Sequence, residues 1–219
     1  MKHPFLEALN RKVLIFDGAM GTNIQRLSLS PADFHGKDGC NEFLVVTKPE
    51  AISQIHQSFL EIGCDAVETD TFGANRIVLA EYELADRTRE LNVKAAQLAR
   101  RVAQQYSTAD QPRFVAGSIG PGTKLPSLGH IGFDEMKAVF KEQIAGLVEG
   151  GVDVILIETC QDLLQAKTAV IAADEFFTES GKRLPLMVQV TFERTGTMLL
   201  GTDMLGVIAS LEMLPSDIR

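Results

Sequence analysis

Tryptophan is absent from this 219-residue chain, and cysteine occurs only three times. Cys40, Cys64 and Cys160 are odd in number, widely spaced and form no C-x-x-C pair. That argues against a disulfide framework and for a reducing compartment, so a cytoplasmic location is expected. Basic residues are also in deficit. Against 29 Asp and Glu stand 21 Lys and Arg, a formal net charge of -8, which leaves no basic face to track phosphates and argues against nucleic acid as a partner. No apolar run reaches the roughly 18 residues of a membrane span. Met1-Lys2-His3-Pro4 lacks the apolar stretch of a signal peptide. No low-complexity or Pro/Ser-rich linker divides the chain. What is present is 45% hydrophobic residues, enough for one sizeable core in a soluble globular domain.

The most informative stretch runs Ile155-Leu156-Ile157-Glu158-Thr159-Cys160-Gln161-Asp162. Val154 to Ile157 are apolar and mostly β-branched, the pattern of a strand buried on both faces. Leu163, Leu164, Ala166, Val170 and Ile171 follow at helical spacing. Glu158 is therefore expected at the C-terminal end of a buried strand, where ligands bind in parallel α/β sheets. Four more strands are expected: Val13–Asp17, Asp65–Asp70, Arg113–Ser118 and Leu186–Phe192. Helices are expected from Thr47, from about Asp86 to Gln105, over Phe133–Gly150, and from Asp203 to Leu211 or Leu214. Thr47 is read as N-cap with Glu50 as capping-box partner, and Pro49 suits the first turn. Ile52, Ile55, Phe59 and Ile62 form its apolar stripe, ended by Gly63. His56 and Cys64 read as core residues. Pro215-Ser216-Asp217 reads as a breaker.

Alternation of strands with long helices implies parallel β with right-handed crossovers. Five βα units are expected. Two architectures fit them: part of a closed barrel, which takes about 250 residues when complete, or an open doubly wound sheet. Polar residues gather at successive strand ends rather than in one crevice, which favours the barrel. Ile15, Val67, Val115, Ile155 and Val188 are expected on its inner face.

Several strand ends carry candidate chemistry. Asp17-Gly18-Ala19-Met20-Gly21-Thr22 offers a carboxylate and open amides, although Asp17 also suits the cap of the short helix that follows. Thr69-Asp70-Thr71 is poor core material and good material for grasping a small polar ligand. Gly120-Pro121-Gly122-Thr123-Lys124 resembles a phosphate loop but lacks its Gly-Lys-Ser/Thr order. Glu158 reads equally as a ligand for a cation or as a carboxylate satisfied at a helix start.

Taken in order, Asp17-Gly18-Ala19-Met20-Gly21-Thr22, Gly39-Cys40-Asn41-Glu42, Thr69-Asp70-Thr71-Phe72-Gly73-Ala74-Asn75, Gly117-Ser118-Ile119-Gly120-Pro121 and Ile157-Glu158-Thr159 resemble the homocysteine-binding domain of homocysteine S-methyltransferases. The branch most resembled is the N-terminal module of cobalamin-dependent methionine synthases, with Gln161–Lys167 in support. The resemblance implies an α/β fold of (β/α)8 TIM-barrel type, with about the first five βα units in residues 1–219, which stop before a sixth strand. It implies transfer of a methyl group, from methylcobalamin and ultimately methyltetrahydrofolate, to the homocysteine thiolate. A donor of betaine or S-methylmethionine type, and a non-catalytic amino-acid-binding fragment, are the alternatives.

By the same resemblance Asp17, Gly18, Thr69, Asp70, Thr71, Ser118 and Glu158 bind substrate. Glu158, with Asp17 as second candidate, takes the ammonium; Thr69 and backbone amides take the carboxylate. The family's zinc is held by three cysteines, one after the sixth strand and a pair near the eighth. Cys40, Cys64 and Cys160 match none of them, so no catalytic residue and no metal ligand is expected here. The Asp-x-His-x-x-Gly pattern of cobalamin binding is missing too. Zinc, cobalamin and the folate, cobalamin and activation domains are expected of an intact protein rather than of these residues.

Five βα units leave two open sheet edges, which invite pairing with another chain. The chain is expected to self-associate or aggregate. Sedimentation with urea unfolding followed by circular dichroism tests this; a monodisperse monomer with a cooperative transition would contradict it.

Overall fold

The computed structural model describes residues 3–214; Met1-Lys2 and the Pro215-Ser216-Asp217 breaker lie outside them. Four strands, β1 (Ala66–Glu68), β2 (Phe114–Ile119), β3 (Val154–Cys160) and β4 (Leu186–Val190), form one parallel sheet in the order β1-β2-β3-β4. Among the described residues this order has no reversal, and so no switch-point crevice of the doubly wound kind. The expected strand at Val13–Asp17 is reduced to one bridge, Phe16 to Ala66. Its backbone lies against β1, with Ala66 N–H on Ile15 O at 3.2 Å and Asp17 N–H on Ala66 O at 3.0 Å. Its alternate side chains Val13 and Ile15 are 80% and 57% exposed. Among the described residues nothing covers that face, so the segment lacks the packing that would hold a longer ladder.

The nine helices among the described residues are α1 (Pro4–Arg11), α2 (Met20–Arg26), α3 (Leu44–Thr47), α4 (Pro49–Glu61), α5 (Arg76–Ala80), α6 (Thr88–Tyr106), α7 (Phe133–Gly150), α8 (Leu163–Ser180) and α9 (Met204–Glu212). None is long and apolar enough to cross a membrane. Local chemistry sets their ends. Asp162 caps α8 by accepting from Leu164 N–H, Asp203 caps α9 by accepting from Gly206 N–H, and Gly151 and Gly181 close α7 and α8 in the left-handed conformation. Thr47 is not the cap of α4. It is the last residue of α3, and its hydroxyl turns back to Phe43 O at 3.3 Å. Lys48 precedes α4 without a side-chain cap, leaving Pro49 at the first turn to set the helix. Ile62, past the end of that helix, leaves its apolar face and is 82% exposed.

Strand side chains alternate between faces, and the alternation separates two cores. Val67, Val115, Ile155 and Ile157 pack with α6, α7 and α8 through Ala99, Phe140, Leu147 and Ala169. The opposite parity, Ala66, Phe114, Ala116, Val154 and Leu156, packs with Phe5 and Leu14. The expected inner face is therefore inverted: Val67, Val115 and Ile155 face the helices, half-buried Val188 packs on that same core, and Ile15 is exposed. Burial on both faces is the reason, because a continuous apolar run carries no parity signal. α1, unforeseen in the sequence, covers the other face; its Phe5 is fully buried and meets Phe114 and Phe16 edge-on at 5.4 and 6.4 Å.

Helices α6 and α7 approach closely at two glycines. A Cβ on Gly146 would lie 2.8 Å from Asn92 Cβ, and one on Gly150 would lie 2.5 Å from Ala96 Cβ and 2.8 Å from Val93 O. Helix propensity alone favours alanine by about 1 kcal/mol. Overpacking opposes it by about 1–3 kcal/mol, and here the obstruction is backbone and Cβ, which cannot swing aside. Gly146→Ala and Gly150→Ala should each lower stability in urea titrations; a gain would show that the helices are free to part.

Candidate functional site

The C-terminal ends of the strands surround a cavity of about 260 Å³. Parity builds it. Above Ala66, Ala116 and Leu156 on the face away from the helices, the next positions of the same parity are Glu68, Ser118 and Glu158, and all three line the cavity. Asp17 and Gly18 enter from the segment beside β1, Thr69 and Asp70 from the tip of β1. Six of the seven sequence candidates thus meet in one place. Thr71 does not reach it.

Glu158 lies within β3, two residues before its end, and the helix start that follows is capped by Asp162. The helix-cap reading of Glu158 is therefore excluded. The register between β3 and β4 shifts between Ile157 and Cys160, and Thr159 there has φ 57°. A β-branched residue in the left-handed region is strained, and it directly follows Glu158. Ser118 Oγ donates to Glu158 Oε1 at 2.5 Å. Asp17 is no cap either: α2 begins after Ala19 without a side-chain cap, while Asp17 Oδ1 accepts from Glu68 N–H at 3.0 Å.

The two threonines clamp the strand tips. Thr71 is fully buried and its hydroxyl donates to Ser118 O at 2.7 Å. Its one proton spent, it must accept from Thr69 Oγ1 at 2.6 Å, and Thr69 in turn accepts from Ser118 N–H at 3.0 Å. Thr69 lines the cavity with its proton already committed.

Two lining carboxyls escaped the sequence reading. Glu68 was hidden because the strand end was placed at Thr69-Asp70; a carboxylate after Ala66-Val67 was its signal. Glu42 lies in the Gly39–Glu42 motif, and its Oε1 accepts from Gly73 N–H at 2.7 Å. A Cβ on residue 73 would stand 2.5 Å from that oxygen, so only glycine admits the contact.

Five carboxyls, Asp17, Glu42, Glu68, Asp70 and Glu158, line the cavity, and no Lys, Arg or His is among its described lining residues. Burial, and then the charge of Glu68, pushes Asp17 up to about 8. Burial and Glu158 push Glu68 up to about 7. Burial and Glu42 hold Asp70 well above the usual carboxylate range, and burial raises Glu42 as well. Like charges in a desolvated space keep protons. Such a cavity suits a ligand that brings its own positive charge.

The cysteines do not fit a zinc ion. Cys40, Cys64 and Cys160 are buried in separate segments, burial pushes each thiol up to about 12, and the described residues contain no group of three His, Cys, Asp or Glu arranged to hold a metal.

A family model described as homocysteine S-methyltransferase matches residues 14–218. The methionine synthases of Mycobacterium tuberculosis and Mycobacterium leprae are each 45% identical over 212 residues, which is 97% of this chain and 18% of theirs. The chain thus spans less than a fifth of these curated relatives. Among solved structures, the homocysteine methyltransferase MmuM from Escherichia coli superposes with a TM-score of 0.78 in its metallated form, at 22% identity, over 97% of this chain and 75% of that one. Its apo form gives 0.69 over 94% and 70%. At this identity the likeness speaks for the fold alone. Five motifs in one cavity, a family model over nearly the whole chain and relatives at 45% identity lead to one conclusion: the chain belongs to the homocysteine S-methyltransferase family.

Proposed function

We propose that residues 1–219 form the homocysteine-binding part of a cytoplasmic methionine synthase, which methylates the homocysteine thiolate to methionine. The methyl group comes from methylcobalamin and ultimately from methyltetrahydrofolate. The sequential parallel strands are read as a portion of a (β/α)8 barrel wall, which agrees with the strand order and with the likeness to MmuM. Zinc, which keeps the thiol anionic in this family, and cobalamin are assigned to segments other than these residues, since the cysteines here do not fit a metal site.

In this reading the chain's own residues bind and orient the amino-acid end of the ligand. Glu158 takes the ammonium, with Asp17 and Glu68 beside it. Ser118 fixes the Glu158 rotamer through its hydroxyl. The carboxylate meets donors near Gly18 and Asp70, and the Thr69–Thr71 clamp holds the strand tips in place. Fixing these groups leaves the sulfur as the free end, aimed at the methyl donor. Orientation of that kind can supply on the order of 7 kcal/mol towards a reaction barrier. The observation that carries the reading is the concentration of five carboxyls in one cavity, with no cation among its described lining residues.

Calorimetric titration with L-homocysteine tests it. Glu158→Gln keeps an acceptor for Ser118 but loses the charge, and affinity should fall about tenfold or more, the usual worth of a charge-assisted hydrogen bond. Unchanged affinity would remove Glu158 from the site. Asp17→Asn gives a second, opposite signature. Between about pH 4 and pH 8 folded Asp17 holds a proton that the unfolded chain has lost, so this group's contribution to stability falls as pH rises through that window. Asparagine removes the penalty. At pH 8 the variant should therefore gain about 0.5–2 kcal/mol of stability while binding homocysteine more weakly; a loss of stability would mark Asp17 as purely structural.

A further inference from the structure

An amino-acid ligand brings a carboxylate as well as an ammonium, and this cavity offers it no lysine, arginine or histidine among the described lining residues. The side-chain hydroxyls are already committed, Ser118 to Glu158 and Thr69 to Thr71. Asn41 and Asp70 are further polar side chains of the lining. Asp70 is 6% exposed, and its Oδ2 is buried with no hydrogen-bond partner. With no donor on that oxygen, nothing in the protein offsets a negative charge on the Asp70 carboxyl, which lines the cavity.

We propose that Asp70 is a hydrogen-bond donor of the site, its carboxyl O–H holding the carboxylate of the amino-acid ligand. This rests on the amino-acid-binding reading above and goes beyond it, because it turns one member of an acidic cluster into the partner of an anion. The geometry says which carboxyl carries the proton. Glu42, its acidic neighbour, accepts from Gly73 N–H at 2.7 Å and has the Cys40 thiol 3.9 Å from its other oxygen. Donors aimed at a carboxylate favour its charged form. No donor reaches Asp70 Oδ2, so of the two Asp70 is the better placed to keep its proton and donate it. Burial and the charge of Glu42 act in the same direction on Asp70. The other titratable groups around the pair are Cys40 and Tyr82 beside Glu42, and Asp17, Glu68 and Glu158 across the cavity. All are acids, and none of them brings a positive charge that would favour ionised Asp70. A neutral carboxylic acid as donor is a workable device in an apolar or like-charged site.

Two probes separate this role from shape: L-homocysteine, and 3-aminopropanethiol, which keeps the amine and thiol and lacks the carboxylate. Calorimetry near neutral pH should show that the wild type prefers homocysteine. Asp70→Ala should weaken homocysteine by about tenfold or more and leave 3-aminopropanethiol unchanged. Asp70→Asn, which still donates, should retain the preference, and should keep it at alkaline pH where the wild type loses it as Asp70 ionises. Equal weakening of both probes by Asp70→Ala, or of neither, would overturn the donor role. Should the alanine variant fail to fold by circular dichroism, the asparagine variant decides: a preference lost with pH in parallel with the wild type overturns the proposal. If the wild type binds neither probe, the amino-acid-binding reading itself is wrong, and the donor role falls with it.

Discussion

Carboxyl groups crowded out of water at the strand tips are the constraint around which the rest of the molecule is arranged. Asp17, Glu68 and Glu158 repel one another there, and the folded chain meets the cost by holding protons, which keep Asp17 at about 8 and Glu68 at about 7. A stability-driven sequence would place neutral or apolar groups at these positions. Their presence marks a site whose energy is completed by what binds, a recurrent pattern in which strained or repelling groups persist where function requires them.

Much of the scaffold exists to hold those groups still. Strand parity and the Ser118 hydroxyl hold Glu158 in the cavity, beside the left-handed Thr159 and its register shift. The Thr69–Thr71–Ser118 chain of hydrogen bonds ties β1 to β2 beneath the cavity, and Gln143 of α7 reaches the same point by donating to Thr71 O at 2.8 Å. Gly73 lets Glu42 close in. Gly120, whose Cβ would lie 2.6 Å from Phe72 O, lets the β2 loop pack on the loop after β1. At the other end of the strands, Phe5 closes the same face of the sheet with aromatic contacts. A hydrophobic base and a polar rim thus share one set of alternating positions.

The long helices and the strand-end carboxylates were legible in the sequence because each rests on a strong local signal. Phe133–Gly150 was bounded correctly, since an apolar period of 3.6 ends there at a glycine pair. Glu158 stood out because a charge abruptly ends an apolar run. Failures came where the deciding term is tertiary. The inner and outer faces were exchanged because β2 and most of β3 are buried on both sides, so hydrophobicity carries no parity. Val13–Asp17 looked like a strand, yet its pairing depends on packing that this segment lacks. The expected strand runs on to Asp70, whereas β1 ends at Glu68; the ligand groups are therefore sought beyond Glu68, and Thr71, past the strand end, turns its hydroxyl inward to Ser118 O instead. α1 was missed because a short amphipathic helix gains its stability from Phe5 docking rather than from propensity.

The most direct test of the account is the number of protons exchanged when an amino-acid ammonium enters the cavity. Calorimetric titration with L-homocysteine at pH 7, repeated in buffers of different ionisation enthalpy, measures it. An entering cation lowers the pKa of Asp17 and Glu68, now at about 8 and about 7, so binding should release protons to the buffer, and less so in Asp17→Asn. Binding with no proton release, or with proton uptake, would contradict the claim that these buried acids are what the ligand's positive charge completes.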